Sequence, residues 1–269
     1  MIDSKLQARL RERFNPDGSE LRKMQMRMLN MLKYIDRICR ENGIKYWLSS
    51  GTCLGAVRHG GFIPWDDDVD IEMLEKDYIK LVAILKKRHD EGYIIQDDSN
   101  DPDYIQFFSK LRDLNSEIKE DADTDNWNKY KGCFIDLFIL EPSSSRLIHR
   151  ICGILWNHLL FPLCKIKKTR TRRLCIKLGR RFLTHLFNLL SRITNKPSSE
   201  SYRHKLGCGF NKQRFREDIQ NVIYVPFEET VLPIPVGHEH YLQTLYGDYE
   251  SIPPMEDIHP HLKQFRLLN

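Results

Sequence analysis

Between Pro142 and Ser199 the chain has no aspartate or glutamate, although it carries thirteen lysines and arginines there. Against a net charge of +5 for the 269 residues, this leaves about −8 on the remainder, so the sequence reads as an acidic body with a basic insert. Cys-x-x-Cys pairs and cysteine–histidine ligand spacings are also absent. The seven cysteines (Cys39, Cys53, Cys133, Cys152, Cys164, Cys175, Cys208) are scattered and odd in number, which argues for reduced thiols over a zinc site or a disulfide framework. The first residues, Met1 to Leu6, contain an early acid and no long apolar run, which supports neither a signal nor a transit peptide. A cytoplasmic protein is expected. No internal repeat is found, and 41% hydrophobic with 29% charged residues suits a globular chain with a full core.

What is present is concentrated between Tyr46 and Ile71. A strand over Ile44–Leu48 is expected to turn through Ser49-Ser50-Gly51-Thr52 into a short helix from Cys53 to Arg58. Gly51 allows close backbone approach, and free amides at a helix start attract phosphate oxygens. Arg58 and His59 end the helix; Arg58 can pair with Asp66 or Asp67, or contact a phosphate. Asp68 and Asp70 follow at a spacing that puts two carboxylates on one face of a strand, with Val69 and Ile71 behind them. Two such carboxylates repel unless a cation lies between them, and Mg²⁺ or Mn²⁺ is the hard, oxygen-preferring choice.

Upstream, Leu21, Met24, Met28, Met31, Leu32, Ile35 and Ile38 recur at helical spacing, with Asp17 or Ser19 to begin the helix and Asn42-Gly43 to stop it. Downstream, Glu72 to Lys87 reads as a helix, and Tyr93–Gln96 and Ile105–Arg112 as strands. Lys110 and Arg112 share a face of the latter and either neutralise a phosphate or are exposed strand charges. The apolar run Lys131–Leu140 suits a strand buried on both faces, with Asp136 in its middle. A lone buried carboxylate costs several kcal/mol, so Asp136 needs a cation, an arginine or a proton.

In the basic stretch, Leu147–Cys164 is apolar but interrupted by His149, Arg150, Asn157, His158 and Pro162, and is read as too short and too polar for a membrane span. Arg170–Arg192 is amphipathic and basic, fit to lie on an anionic membrane, to hold an anionic acceptor, or to be a solvated face. Residues 165–181 hold few aromatics among their cations, which argues against a nucleic-acid role. Tyr224–Pro235 reads as short strands and Tyr241–Tyr249 as a short helix with a glycine stop.

The run Gly55-Ala56-Val57-Arg58-His59-Gly60-Gly61-Phe62-Ile63-Pro64-Trp65-Asp66-Asp67-Asp68, with Asp70, Asp136 and Leu245-Tyr246-Gly247-Asp248-Tyr249, resembles the LicD family of phosphocholine transferases, relatives of the fukutin-like proteins. The resemblance implies an α+β, nucleotidyltransferase-like mixed sheet flanked by helices: a catalytic core over residues 1–141, a basic helical insert over 142–200, and a return to the core over 201–269. It implies metal ligation by Asp68, Asp70 and Asp136, proton acceptance by Asp136 or Asp66, and donor binding by Gly51, Thr52, Arg58, His59, Lys110 and Arg112. It further implies transfer of phosphocholine or a related phosphoalcohol from a CDP-linked donor such as CDP-choline to a glycan or lipid-linked glycan hydroxyl, with release of CMP. A cage for choline would draw on Trp47, Trp65, Trp127 or Tyr130. Glu75, where the family often has arginine, and the ending Ile258-His259-Pro260-His261 depart from the family pattern. Two other readings fit the acidic motif less specifically: a nucleotidyltransferase that uses an NTP and releases pyrophosphate, and a non-catalytic adaptor docking on a membrane or glycolipid.

Overall fold

The computed structural model describes residues 2–88, 92–120, 128–143, 145–194, 196, 198–207, 212–256, 258 and 262–268. Along the chain lie α1 (Ser4–Phe14), α2 (Glu20–Asn42), β1 (Trp47–Leu48), α3 (Ser50–His59), β2 (Asp70–Leu74), α4 (Glu75–Leu85), β3 (Tyr93–Gln96), β4 (Ser109–Asp113), β5 (Ser116–Glu120) and β6 (Phe134–Pro142). There follow α5 (Arg146–Leu159), α6 (Arg170–Thr194), β7 (Ser201–His204), β8 (Arg214–Phe215), α7 (Arg216–Ile219), β9 (Val222–Phe227), β10 (Thr230–Pro235), α8 (His238–Tyr246) and β11 (Leu262–Leu267).

The main sheet has the order β1-β2-β6-β4-β3, with β7 continuing beside β6 and β8 beside β7. It is mixed: β2 runs parallel to β6, and the other pairs are antiparallel. This is an α+β fold with a mixed sheet flanked by helices. Two antiparallel pairs, the β9–β10 hairpin and β5 with the sequence-distant β11, complete the strands described.

Helix α2 supplies much of the core, because its apolar positions recur on one face; Met24, Met28, Leu29, Met31, Leu32, Ile35 and Ile38 are all buried. Of the two candidate caps, Ser19 does the capping, its hydroxyl accepting from Arg22 N–H, and Gly43 ends the helix in the left-handed region at φ 60°. On β2, Ile71 and Met73 are completely buried, each contributing about 1.5–3 kcal/mol, while Asp70 and Glu72 take the other face.

Several boundaries differ from those read in sequence. The first strand is only Trp47–Leu48, and the fourth begins at Ser109, since residues 105 and 106 are irregular and 107 and 108 form a bend. The helix expected from Glu72 begins at Glu75, because Glu72 pairs with Trp47 and Phe138 in the sheet. Pairing decides here: a strand wedged between two neighbours overrides local helical spacing.

Helices α5 and α6 are joined through a 3₁₀ turn at Phe161–Lys165, which contains Pro162. They pack on one another around Cys152, Leu160, Leu183 and Phe187, in a cluster separate from the main core. The 20 residues Arg146–Lys165 are, by length and composition alone, long and apolar enough to cross a membrane, contrary to the sequence reading, and 22% of the most apolar window is buried. Polar bonds hold this region to the body. Trp156 Nε1 donates to Ile105 O at 3.2 Å, His149 Nε2 lies 3.2 Å from Glu141, and Asp103 pairs with both Arg172 and Arg173.

Candidate active site

The β1–α3 junction carries a backbone cost. Ser50 sits at φ 47°, a left-handed conformation worth about 1–3 kcal/mol of strain on a residue with a side chain. Tyr241 of α8 holds it there: the Ser50 N–H donates to the Tyr241 hydroxyl oxygen at 3.2 Å, and Ser49 Oγ is also 3.2 Å from that oxygen. The helix then starts at the site, with Thr52 Oγ1 accepting from the Asp70 N–H at 2.9 Å. A Cβ added at Gly51 would lie 3.0 Å from Asp66 Oδ2, so Asp66 presents its carboxyl to the first turn of α3.

Across the sheet, Asp70 is in parallel register with Asp136, and Asp136 in antiparallel register with Lys110. Register partners on adjacent strands project to the same face, so two acids and one lysine form a single row over β2, β6 and β4. All three are buried. Lys110 Nζ is 2.8 Å from Asp136 Oδ1 and 3.4 Å from the centre of the Phe134 ring, a cation–π contact that fixes the ammonium between a carboxylate and an aromatic face.

Asp68 is exposed in the extended stretch just before β2. The same-face argument made for Asp68 and Asp70 on a strand therefore applies to Asp70 alone, but the Asp68 charge still reaches the row. Burial pushes the Asp70 carboxyl well above the usual range, followed in size by repulsion from Asp68, Asp136 and Asp66, with Lys110 opposing. Asp66 is raised in the same way, by burial, then Asp68 and Asp67, with Arg58 opposing. Tyr246, at the end of α8, is 45% exposed as a residue; desolvation of its phenol and then the charges of Asp70, Asp66 and Asp68 push it up, so the field of the same acids reaches it. Lys110 at Asp70 and Asp136, and Arg58 at Asp66, thus oppose a group of hard oxygen donors that destabilise one another's charged forms. That donor set suits a divalent ion.

A model of the "LicD/FKTN/FKRP, nucleotidyltransferase domain" matches residues 43–173. Lipopolysaccharide cholinephosphotransferase LicD of Haemophilus influenzae is 28% identical over 262 residues, covering 90% of this chain and 95% of its own. The chain carries a LicD-family domain. Human ribitol 5-phosphate transferase FKRP shares 44% identity over 45 residues, which are 17% of this chain and 9% of FKRP. Yeast mannosyltransferase regulator 4 shares 27% over 137 residues, 49% of this chain and 11% of its own.

Other residues singled out in the LicD-family motif are placed differently from the acid row. Arg58 donates from Nη1 to the carbonyls of Tyr249 and Ser251, both at 2.9 Å, and from Nε to His59 Nε2 at 3.0 Å. It therefore ties down the segment after α8, and the Asp66 charge also acts on it. His59 is buried between Arg58 and Gln7, with Nδ1 2.6 Å from Gln7 Oε1. Burial, then Arg58, pushes its imidazole down to about 3. Arg112 is completely buried, donating to Gln96 Oε1 at 2.7 Å and Gly132 O at 2.8 Å, so the exposed-charge reading of Lys110 and Arg112 is corrected for both.

The state of His59 has a measurable consequence. Because its folded pKa lies below the unfolded value of 6.5, the unfolded chain binds the extra proton, and stability from this group is lost as pH falls from about 6.5 toward 3. Histidine-selective NMR should find one imidazole that stays neutral at pH 5. The stability difference between wild type and His59→Gln should shrink as the solution is acidified; a His59 that titrates near 6.5 would contradict this placement.

Sequence reasoning missed Glu72 by assigning it to a helix. Its fully buried carboxylate accepts from Arg214 Nη2 at 2.6 Å, His204 Nε2 at 2.7 Å, and Trp47 Nε1 and the Tyr241 hydroxyl at 3.1 Å each. Burial by itself would raise this carboxyl, but Arg214 and His204 outweigh it and hold it below the usual range. Strand alternation from Asp70 could have found it, since i and i+2 share a face. This hub anchors Tyr241, and through it the strained start of α3.

Of the aromatic candidates for a choline cage, Trp47 is spent on Glu72, and Trp65 packs edge-on against Phe14 and His59 at centroid distances of 5.4 and 5.8 Å. Tyr130 is half-buried beside Lys129, with Nζ 4.9 Å from the ring centre. Trp127, His259 and His261 lie outside the described residues. Glu75, at the departure from the family pattern, pairs with Lys205.

Proposed function

We propose that this LicD-family chain is a phosphotransferase that moves phosphocholine, or a related phosphoalcohol, from a CDP-linked donor to a hydroxyl of a cell-surface glycan or glycolipid precursor, releasing CMP. The observation that carries the reading is the buried row Asp70–Asp136–Lys110 with Asp66 and Asp68 around it, at the start of α3. Phosphocholine is preferred because the similarity to the Haemophilus influenzae transferase extends over nearly the whole of both chains, whereas that to FKRP covers 45 residues.

Asp68, Asp70 and Asp136 are the residues that would hold Mg²⁺ or Mn²⁺. When bound, the ion would neutralise charge on the diphosphate and on the transferred phosphoryl oxygens. The first-turn amides of α3 at Gly51 and Thr52 lack intrahelical acceptors and would take phosphate oxygens, with the helix dipole favouring negative charge. Lys110 holds Asp136 in place and adds positive charge to the row. Asp66, raised by burial and its acidic neighbours, is the better-suited acceptor for the proton of the attacking hydroxyl, since one oxygen of Asp136 is engaged by Lys110. Tyr246, kept as a neutral phenol, can donate a hydrogen bond at the same place.

The test is product analysis with CDP-choline, Mg²⁺ and a lipid-linked glycan acceptor. The expected result is CMP formed in step with phosphocholine on the acceptor. Pyrophosphate formed from CTP, with CDP-choline untouched, would favour the nucleotidyltransferase reading instead.

A further inference from the structure

We propose that α6, together with the exposed side of α5, is a lipid-docking surface that lies in the plane of an anionic bilayer. Helix α6 is 25 residues long, roughly 37 Å at 1.5 Å per residue. At 100° per residue its positions 174, 178, 182, 189 and 193 fall within one arc of about 100°. These are Leu174, Leu178, Phe182, Leu189 and Ile193, every one more than half exposed and Ile193 73% exposed. The side that packs on the protein carries Ile176, Leu183 and Phe187 instead. A helix with a protein-facing apolar side needs no second apolar stripe on water, and five large side chains in line form a continuous patch. Helix α5 repeats the pattern on a smaller scale with Leu147, Ile151 and Ile154.

The charge pattern identifies the occupant. One flank of the α6 stripe is lined by Arg170, Lys177, Arg181 and Arg192, all exposed. Over the whole segment from Pro142 to Ser199, eleven of the thirteen lysines and arginines are exposed and no acid is present. An apolar stripe beside an unbroken cationic flank matches a surface that is apolar a few ångströms deep and negative at its headgroups, where each basic residue adds to the attraction. A second copy of this chain would bring the same cations against them. The apolar run Arg146–Lys165 does not span the bilayer in this arrangement, because His149 is buried against Glu141 and Trp156 is bonded to Ile105 O, which holds α5 on the sheet. Contact is therefore lateral, along the sides of the helices.

The surface makes no use of the acid row, so its failure and that of the proposed activity are separable. The experiment is co-sedimentation of the full chain with vesicles of phosphatidylcholine alone or with about one-quarter phosphatidylglycerol. Wild type should partition at least tenfold better onto the anionic vesicles, and raising salt from about 0.1 M to 1 M, which cuts the screening length from about 10 Å to 3 Å, should weaken it by a similar factor. The variant Leu178→Glu/Phe182→Glu/Leu189→Glu should lose at least tenfold in partitioning with an unchanged melting temperature, since these side chains are exposed. Lys167→Glu/Lys168→Glu/Lys177→Glu should lose the preference for anionic lipid, and Asp70→Asn should bind as wild type. Absence of vesicle binding, equal binding by the apolar variant, resistance to alkaline extraction as expected of a spanning helix, or self-association abolished by the apolar triple change would each overturn the proposal.

Discussion

Asp70→Asn is expected to lower turnover by about a thousandfold or more while leaving the fold intact and raising its melting temperature. The two effects come from one cause. Asp70 is buried and surrounded by Asp68, Asp136 and Asp66, with Lys110 as the opposing charge, so its carboxylate is a cost to the folded chain in the absence of a bound cation. Asparagine keeps the shape, and the Asp70 backbone N–H bonded to Thr52 is unaffected. Asp68→Asn should cost comparable activity with a smaller gain in stability, because Asp68 is exposed. Steady-state assays of CMP release and thermal unfolding on the same preparations check both halves. An active Asp70→Asn variant would remove the acid row from the chemistry.

Arg214→Met is expected to produce the largest loss of stability in the chain, about 3–5 kcal/mol, because it leaves the buried Glu72 carboxylate without its strongest partner. Glu72 carries stability that is present above the unfolded carboxyl pKa of about 4.5 and disappears as pH falls toward its depressed folded value, so the wild type should be the more acid-sensitive of the two proteins. The double change Glu72→Gln/Arg214→Met should recover a large part of the loss, since it removes both charges together. Urea unfolding measures all three. A loss below about 1 kcal/mol for Arg214→Met would mean that the hub is not what holds Tyr241 and the start of α3.

The parts of this architecture that were legible in sequence are those with strong periodicity or one dominant chemical anomaly. The α2 spacing gave a helix with its cap and stop, and the apolar run around Asp136 gave a central strand because few other structures tolerate an acid among so many aliphatic residues. The pairing of Asp70 with Asp136 follows from two strands that both needed a partner. Glu72 was hidden because the residues after it have helical spacing, and only the sheet, through Trp47 and Phe138, keeps it extended. The bonds of Arg58 and His59 were hidden for a different reason: their partners Tyr249, Ser251 and Gln7 are 52 or more positions away, and no local pattern announces such contacts. Tyr246 was seen as part of a motif but not as a neighbour of the acids, which depends on how α8 docks.

The acid row as a divalent-cation site is tested most directly by the dependence of thermal stability on Mn²⁺. For Asp66 and Asp70, whose folded pKa values are raised, the folded state binds more protons than the unfolded one, so the metal-free protein loses stability from these groups as pH rises from about 3.8 through their raised values. A bound ion relieves that loss and adds mass-action stabilisation. The account predicts a saturable rise in melting temperature with Mn²⁺ that is larger at pH 8 than at pH 6 and is lost in Asp70→Asn and Asp136→Asn. The same rise in wild type and both variants, or none in wild type, would contradict it.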